Sequence, residues 1–167
     1  MRKGMQAGVL MLGVLCAGAV VADSGKEGDR DWRKQASLED KVGQLIKALP
    51  STANIMIEMG ERYQDLYWAA KQGKWEFAEY QLEEIESLVE LLQITRPGRA
   101  ATARDFLDRG LRGFEPAFEA QDWKAFQGAF RNLHEQCMAC HVDNDHGFIV
   151  VPPKPVRSNS LILNMPR

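Results

Sequence analysis

Cysteine and histidine are scarce in this 167-residue chain, three of each. Scarcer still is the alternation of β-branched and polar residues that marks a strand. No such run occurs before the C-terminal tail, which excludes a sheet-based domain and leaves all-α as the fold class. Positive charge is not concentrated anywhere. The densest basic group, Arg96, Arg99 and Arg104, encloses Pro97 and Gly98, so it reads as a solvated turn between helices, and no nucleic-acid surface is implied. The longest charge-free apolar stretch, Ala7 to Val21, is too short for a comfortable bilayer span.

That stretch follows Met1-Arg2-Lys3-Gly4-Met5 and leads to small residues, with Val20 and Ala22 at the −3 and −1 positions before Asp23. This is the build of a secretory signal peptide, so residues 1–22 are expected to be removed and the protein to be exported to the periplasm. An uncleaved anchor is the alternative. Lipidation of Cys16 is disfavoured because bulky Leu15 stands where a small residue should precede the modified cysteine. Cleavage removes Arg2, Lys3 and Cys16. The remaining chain has single-domain size and an acidic balance, with one close cysteine pair, Cys137 and Cys140.

Residues 23–36 are polar and without period, a flexible leader. Ser37 and Asp40 then form a capping box, and Leu38, Val42, Leu45, Ile46 and Leu49 repeat at helical spacing up to Pro50. The pattern allows this short helix to lie on the main fold or to pair with a second copy of the chain as a homodimer. Four longer helices follow. One spans about Thr52 to Gln72, with Met56, Met59, Tyr63, Leu66, Tyr67 and Ala70 on one stripe and Gly73 as its C-cap. The next spans about Lys74 to Thr95, with Trp75, Ala78, Leu82, Ile85, Val89 and Leu92 on its apolar face. A third runs from Arg99 to Ala120, with a kink or restart expected near Glu115 because Pro116 lacks a backbone donor. The last starts at the N-cap Asp122, its stripe reading Phe126, Phe130, Leu133, Cys137, Cys140, His141. Long helices with short loops predict an antiparallel up-and-down four-helix bundle over residues 37–146, with the short N-terminal helix as an addition. From residue 147 the tail is extended, since Pro152, Pro153 and Pro155 cannot continue a helix.

The chemistry lies in Cys137-Met138-Ala139-Cys140-His141. Cysteines three apart on a helix face the same side, which lets both sulfurs bond the vinyl groups along one haem edge. His141, four residues from Cys137, then turns its imidazole to the iron. This spacing is the c-type haem attachment signature, so one covalently bound haem c is expected on Cys137 and Cys140 with His141 as proximal ligand. Zinc held by the two cysteines and two of His134, His141 and His146 competes with it, although structural zinc sites usually draw ligands from two separate segments. A Cys137–Cys140 redox disulfide competes less well, because no strand leads into the motif.

These features resemble the class II c-type cytochromes, four-helix bundles related to cytochrome c′ that carry the attachment motif near the end of the last helix. The resemblance covers about Thr52 to His146. Leu66-Tyr67-Trp68-Ala69-Ala70, Trp75-Glu76-Phe77-Ala78-Glu79-Tyr80, Leu82-Glu83-Glu84-Ile85 and Gly147-Phe148-Ile149-Val150 look more narrowly like a subgroup of small bacterial monohaem proteins.

In an antiparallel bundle the end of the last helix lies beside the start of the helix at Thr52. Met56 is about 6 Å of rise from Thr52 at ~1.5 Å per residue, in the haem layer, and Met59 is one turn further. Low-spin class II relatives take a methionine from this helix, so the resemblance implies Met56 as the sixth iron ligand. His/Met ligation suits electron transfer with a periplasmic or membrane redox partner. An open sixth site instead suits binding or sensing of small gases such as NO or CO. A peroxidase would need a distal acid/base group, and no histidine is placed to supply one. His134 lies on the proximal side and His146 near a propionate.

Overall fold

Side-chain caps set where the helices begin. In this computed structural model, which describes residues 31–157, Ser51 Oγ accepts the Asn54 N–H at 3.1 Å and Asp122 Oδ1 accepts the Lys124 N–H at 2.8 Å. Each satisfies a first-turn donor that the helix itself cannot. Ser37 Oγ likewise accepts the Asp40 N–H at 3.1 Å, while the Asp40 carboxylate takes the Ser37 hydroxyl proton at 2.7 Å. The expected signal peptide, most of the leader and residues 158–167 of the tail lie outside the described residues.

The helices are α1 (Trp32–Gln35), α2 (Leu38–Ala48), α3 (Thr52–Lys71), α4 (Trp75–Thr95), α5 (Ala100–Gly110), α6 (Phe114–Glu119) and α7 (Trp123–Asp143), with a 3-10 turn at Pro97–Arg99 before α5. No strand occurs among the described residues, and no described helix is long and apolar enough to cross a membrane. The described end of the leader is the single turn α1, capped by Asp31. The chain divides into two units, one ending at Leu45 and one starting at Ile46. On α2, the apolar residues Leu38, Val42, Leu45 and Ile46 are all exposed.

In the larger unit α3 packs on α4, α4 on α5, both α5 and α6 on α7, and α7 on α3. Gly73 reverses the chain between α3 and α4 at φ +70°, with the Lys74 N–H returning to the Ala69 carbonyl at 2.9 Å. Arg96 is only half exposed, unlike the solvated turn residue the sequence suggests. Its guanidinium donates to the carbonyls of Thr95 and Pro50, tying the α4–α5 connection to the entry of α3.

The single helix expected from Arg99 to Ala120 is broken earlier than Pro116 suggests. It stops at Gly110, and Gly113 at φ +88° sets the restart at Phe114. Pro116 then falls at the third position of α6, where its missing N–H costs no helical hydrogen bond. A Cβ at Gly113 would meet only Ala129, at ordinary distances of 3.5 Å from its Cβ and 3.9 Å from its Cα. The penalty for alanine is therefore conformational, about 1–2 kcal/mol. Gly113→Ala should lower the melting midpoint by roughly 2–8 °C in a thermal scan; an unchanged midpoint would show that the left-handed turn is dispensable.

The interior has two halves. Phe126, fully buried at the N-terminal end of α7, is ringed by Trp75, Phe114, Phe118, Trp123 and Phe130 at centroid distances of 5.4–6.2 Å. Tyr63 stacks on Phe130 at 4.5 Å and Tyr67 meets it at 5.0 Å. Where the aromatic packing ends, towards the C-terminal end of α7, the helices part around a cavity.

Candidate functional site

Protein interiors contain few voids larger than a water molecule, yet here the helices enclose a cavity of about 250 Å³. That is close to the lower end of small-molecule sites, ~300–1,000 Å³. Met56, Met59, Gly60, Tyr63 and Gln64 of α3 line one side. Ile85, Val89 and Leu92 of α4 and Ala103 and Phe106 of α5 form the back wall, Leu133, Cys137, Cys140 and His141 of α7 another, and residues of the chain beyond α7 complete the lining. No Asp, Glu, Lys or Arg is among the lining residues. The lining suits an apolar ligand.

The helical period brings both cysteines and His141 to this cavity, since α7 continues to Asp143 without interruption. Both thiols are free. Burial pushes the Cys137 thiol up to about 12, with the neighbouring Cys140 adding to the effect. Burial also raises Cys140, against the opposing pull of a hydrogen bond with Thr102. Burial thus disfavours the thiolate at both cysteines, the opposite of the lowered values that mark reactive thiols.

His141 is oriented by the chain beyond the helix. Its Nδ1 lies 2.8 Å from the Ile149 carbonyl. A carbonyl only accepts, so the proton sits on Nδ1 and the lone pair is left on Nε2, the atom a metal would take. His134 and His146 are directed elsewhere: His134 Nε2 donates to the Val151 carbonyl at 2.9 Å, and His146 Nδ1 donates to the Asn144 carbonyl. Among the described residues no three of His, Cys, Asp and Glu converge as a ligand group. Met56 and Met59, both half-buried, reach the cavity from α3.

Comparison with models of known families, with curated proteins and with solved structures gives no match. The case for a ligand therefore rests on the residues themselves. Two thiols one helical turn apart, an imidazole whose Nε2 has no hydrogen-bond partner among the described residues, two thioethers and apolar walls fit the donor set of a covalently attached haem.

Other residues of this site are not apparent from the motif. Asn144 Nδ2 donates to the Cys140 carbonyl at 2.8 Å and to Thr102 Oγ1 at 2.9 Å, linking the end of α7 to α5. Arg99, in the solvated turn of the sequence reading, is near enough to Cys140 to favour its thiolate. Tyr63 donates its hydroxyl to the Pro152 carbonyl at 3.0 Å, and burial raises its pKa above the ordinary phenol range. Asn144 follows His141 by three residues, whereas Arg99, Thr102 and Tyr63 are separated from the motif by dozens of positions, and of these only Tyr63, on the α3 stripe, carried a sequence signal.

Proposed function

We propose that this chain is an exported single-haem c-type cytochrome of the class II type, an electron carrier and not an enzyme. The observation that supports this reading best is that Cys137, Cys140 and His141 share one apolar cavity with Met56. α3, α4, the α5–α6 pair and α7 serve as the rods of an antiparallel up-and-down four-helix bundle. In its favour, the C-terminal end of α7 and the N-terminal half of α3 line the same cavity, and short connections join consecutive helices. The signal peptide of residues 1–22 directs the protein to the periplasm, where a soluble or membrane-bound redox protein exchanges electrons with it.

When bound, the haem supplies a one-electron ferric/ferrous couple. The chain's residues do the rest. Cys137 and Cys140 would hold the haem through two thioethers, each S–H adding across one vinyl double bond with the sulfur on one carbon and the proton on the other, which would need no oxidant and release no leaving group. His141 would hold the iron through Nε2, and Met56 would supply a thioether, a soft ligand that favours reduced iron and raises the potential. The apolar wall of Ile85, Val89, Leu92 and Phe106 would exclude water and so disfavour the more highly charged ferric state.

The test is the optical spectrum of periplasmic protein, oxidised, reduced and then exposed to carbon monoxide. Sharp low-spin c-type bands unmoved by the gas are expected. Met56→Ala should then turn the ferric spectrum from low to high spin, and an unchanged spectrum would remove Met56 as ligand. High-spin bands in the parent that shift with the gas would mean an open sixth site and a gas-binding role. Absence of haem absorbance in matured protein would overturn the cytochrome reading.

A further inference from the structure

Beyond α7 the described chain pairs locally only as far as Ile149, whose N–H donates to the His146 carbonyl at 2.8 Å. Pro152, Pro153 and Pro155 lack backbone donors, and their fixed φ holds the segment extended, so its carbonyls must find partners elsewhere. They find them on two helices. On α3, the Tyr63 hydroxyl donates to the Pro152 carbonyl at 3.0 Å and the Trp68 indole N–H to the Val156 carbonyl at 2.7 Å. On α7, His134 donates to the Val151 carbonyl at 2.9 Å and His141 to the Ile149 carbonyl at 2.8 Å. The Val151 N–H reaches Met138 Sδ at 3.3 Å, and Pro155 is buried. The same segment faces the cavity with Ile149, Val150, Val151, Pro152 and Val156.

Side chains that cover a cavity need no such anchoring of their backbone. A stretch held by carbonyl contacts at Ile149, Val151, Pro152 and Val156 is held in register, and the register determines which carbonyl meets His141. We infer that residues 147–156 form a strap whose Ile149 carbonyl positions the His141 ring, with Trp68, Tyr63 and His134 clamping the strap so that this contact persists. This rests on the cytochrome reading above. An Nδ1–H held by a carbonyl makes the imidazole a stronger donor through Nε2, which favours ferric iron and lowers the reduction potential.

The experiment loosens the strap without touching the cavity. Neither Trp68 nor His134 lines it, so the full-length double variant Trp68→Phe, His134→Leu is compared with the parent by three readouts: attached haem by intact mass, amide hydrogen exchange, and the midpoint potential. Haem mass should be unchanged. Exchange of a peptide covering residues 147–157 should quicken tenfold or more. The potential should rise by a tenfold shift of the equilibrium towards ferrous iron, about 59 mV for one electron. Restoring a donor in Trp68→Phe, His134→Gln should recover most of both changes. Should the double variant not fold, Trp68→Phe alone carries the same directions at smaller amplitude.

Unchanged exchange would show that these side chains do not clamp the strap. Faster exchange with an unchanged potential would show a cover with no hold on His141. Either result overturns the inference and leaves the cytochrome reading standing. A parent protein without attached haem overturns both.

Discussion

Replacing both Cys137 and Cys140 with alanine should give a protein from which acidified organic solvent extracts all the haem, with no haem mass left on the polypeptide. Each single variant, Cys137→Ala or Cys140→Ala, should keep the haem on one thioether and move the reduced absorption band as one vinyl group is restored. Among the described residues these two thiols, one helical turn apart, are the only ones that line the cavity, and Cys16 lies in the segment expected to be cleaved. The same double substitution decides against zinc. A zinc site would lose its metal, but the parent would carry no haem mass to lose. Haem retained covalently by the double variant would mean that attachment uses another residue, and the whole site assignment would fall.

Phe126→Ala should be the most damaging core substitution, costing about 3–5 kcal/mol. The ring is fully buried and touches aromatic rings contributed by α4 and α6 as well as its own helix. Removing it leaves a hole bordered by Trp75, Phe114 and Phe118, and large rigid rings cannot collapse to fill it. Chemical denaturation followed by far-ultraviolet circular dichroism should show the loss as a lower midpoint with the slope preserved. Set against a typical total stability of ~5–15 kcal/mol, this is enough to unfold part of the population at growth temperature. Haem attachment should fall with it, since the thiols must be presented on an intact helix. A cost below about 1 kcal/mol would mean that the aromatic half is not what holds α7 in place.

Helix positions were legible because they depend on near neighbours. Ser37, Ser51 and Asp122 cap the turns that follow them, Gly73 closes α3, and the apolar stripes bury Leu66, Ile85, Val89, Leu92, Phe106, Phe126, Phe130 and Leu133 as their spacing requires. The break in the helix after Gly110 was harder to place. Proline announces itself by a missing donor, but a lone glycine shows its left-handed conformation only in the folded backbone, and here Gly113 made the break before Pro116 could.

By itself the sequence determined an all-α chain and set two thiols and an imidazole on one face of its last long helix, because 3.6 residues per turn leave no other result for positions 137, 140 and 141. Tertiary structure alone decided what that face meets. The walls facing it come from α3, α4 and α5, Thr102 of α5 reaches both Cys140 and the Asn144 that caps α7, and the carbonyl that orients His141 belongs to a segment beyond the helix. Backbone carbonyls are chemically identical at every residue, so nothing in the side-chain sequence marks Ile149 as the one that will face an imidazole. Only the path of the folded chain, held by Tyr63, Trp68 and His134, selects it.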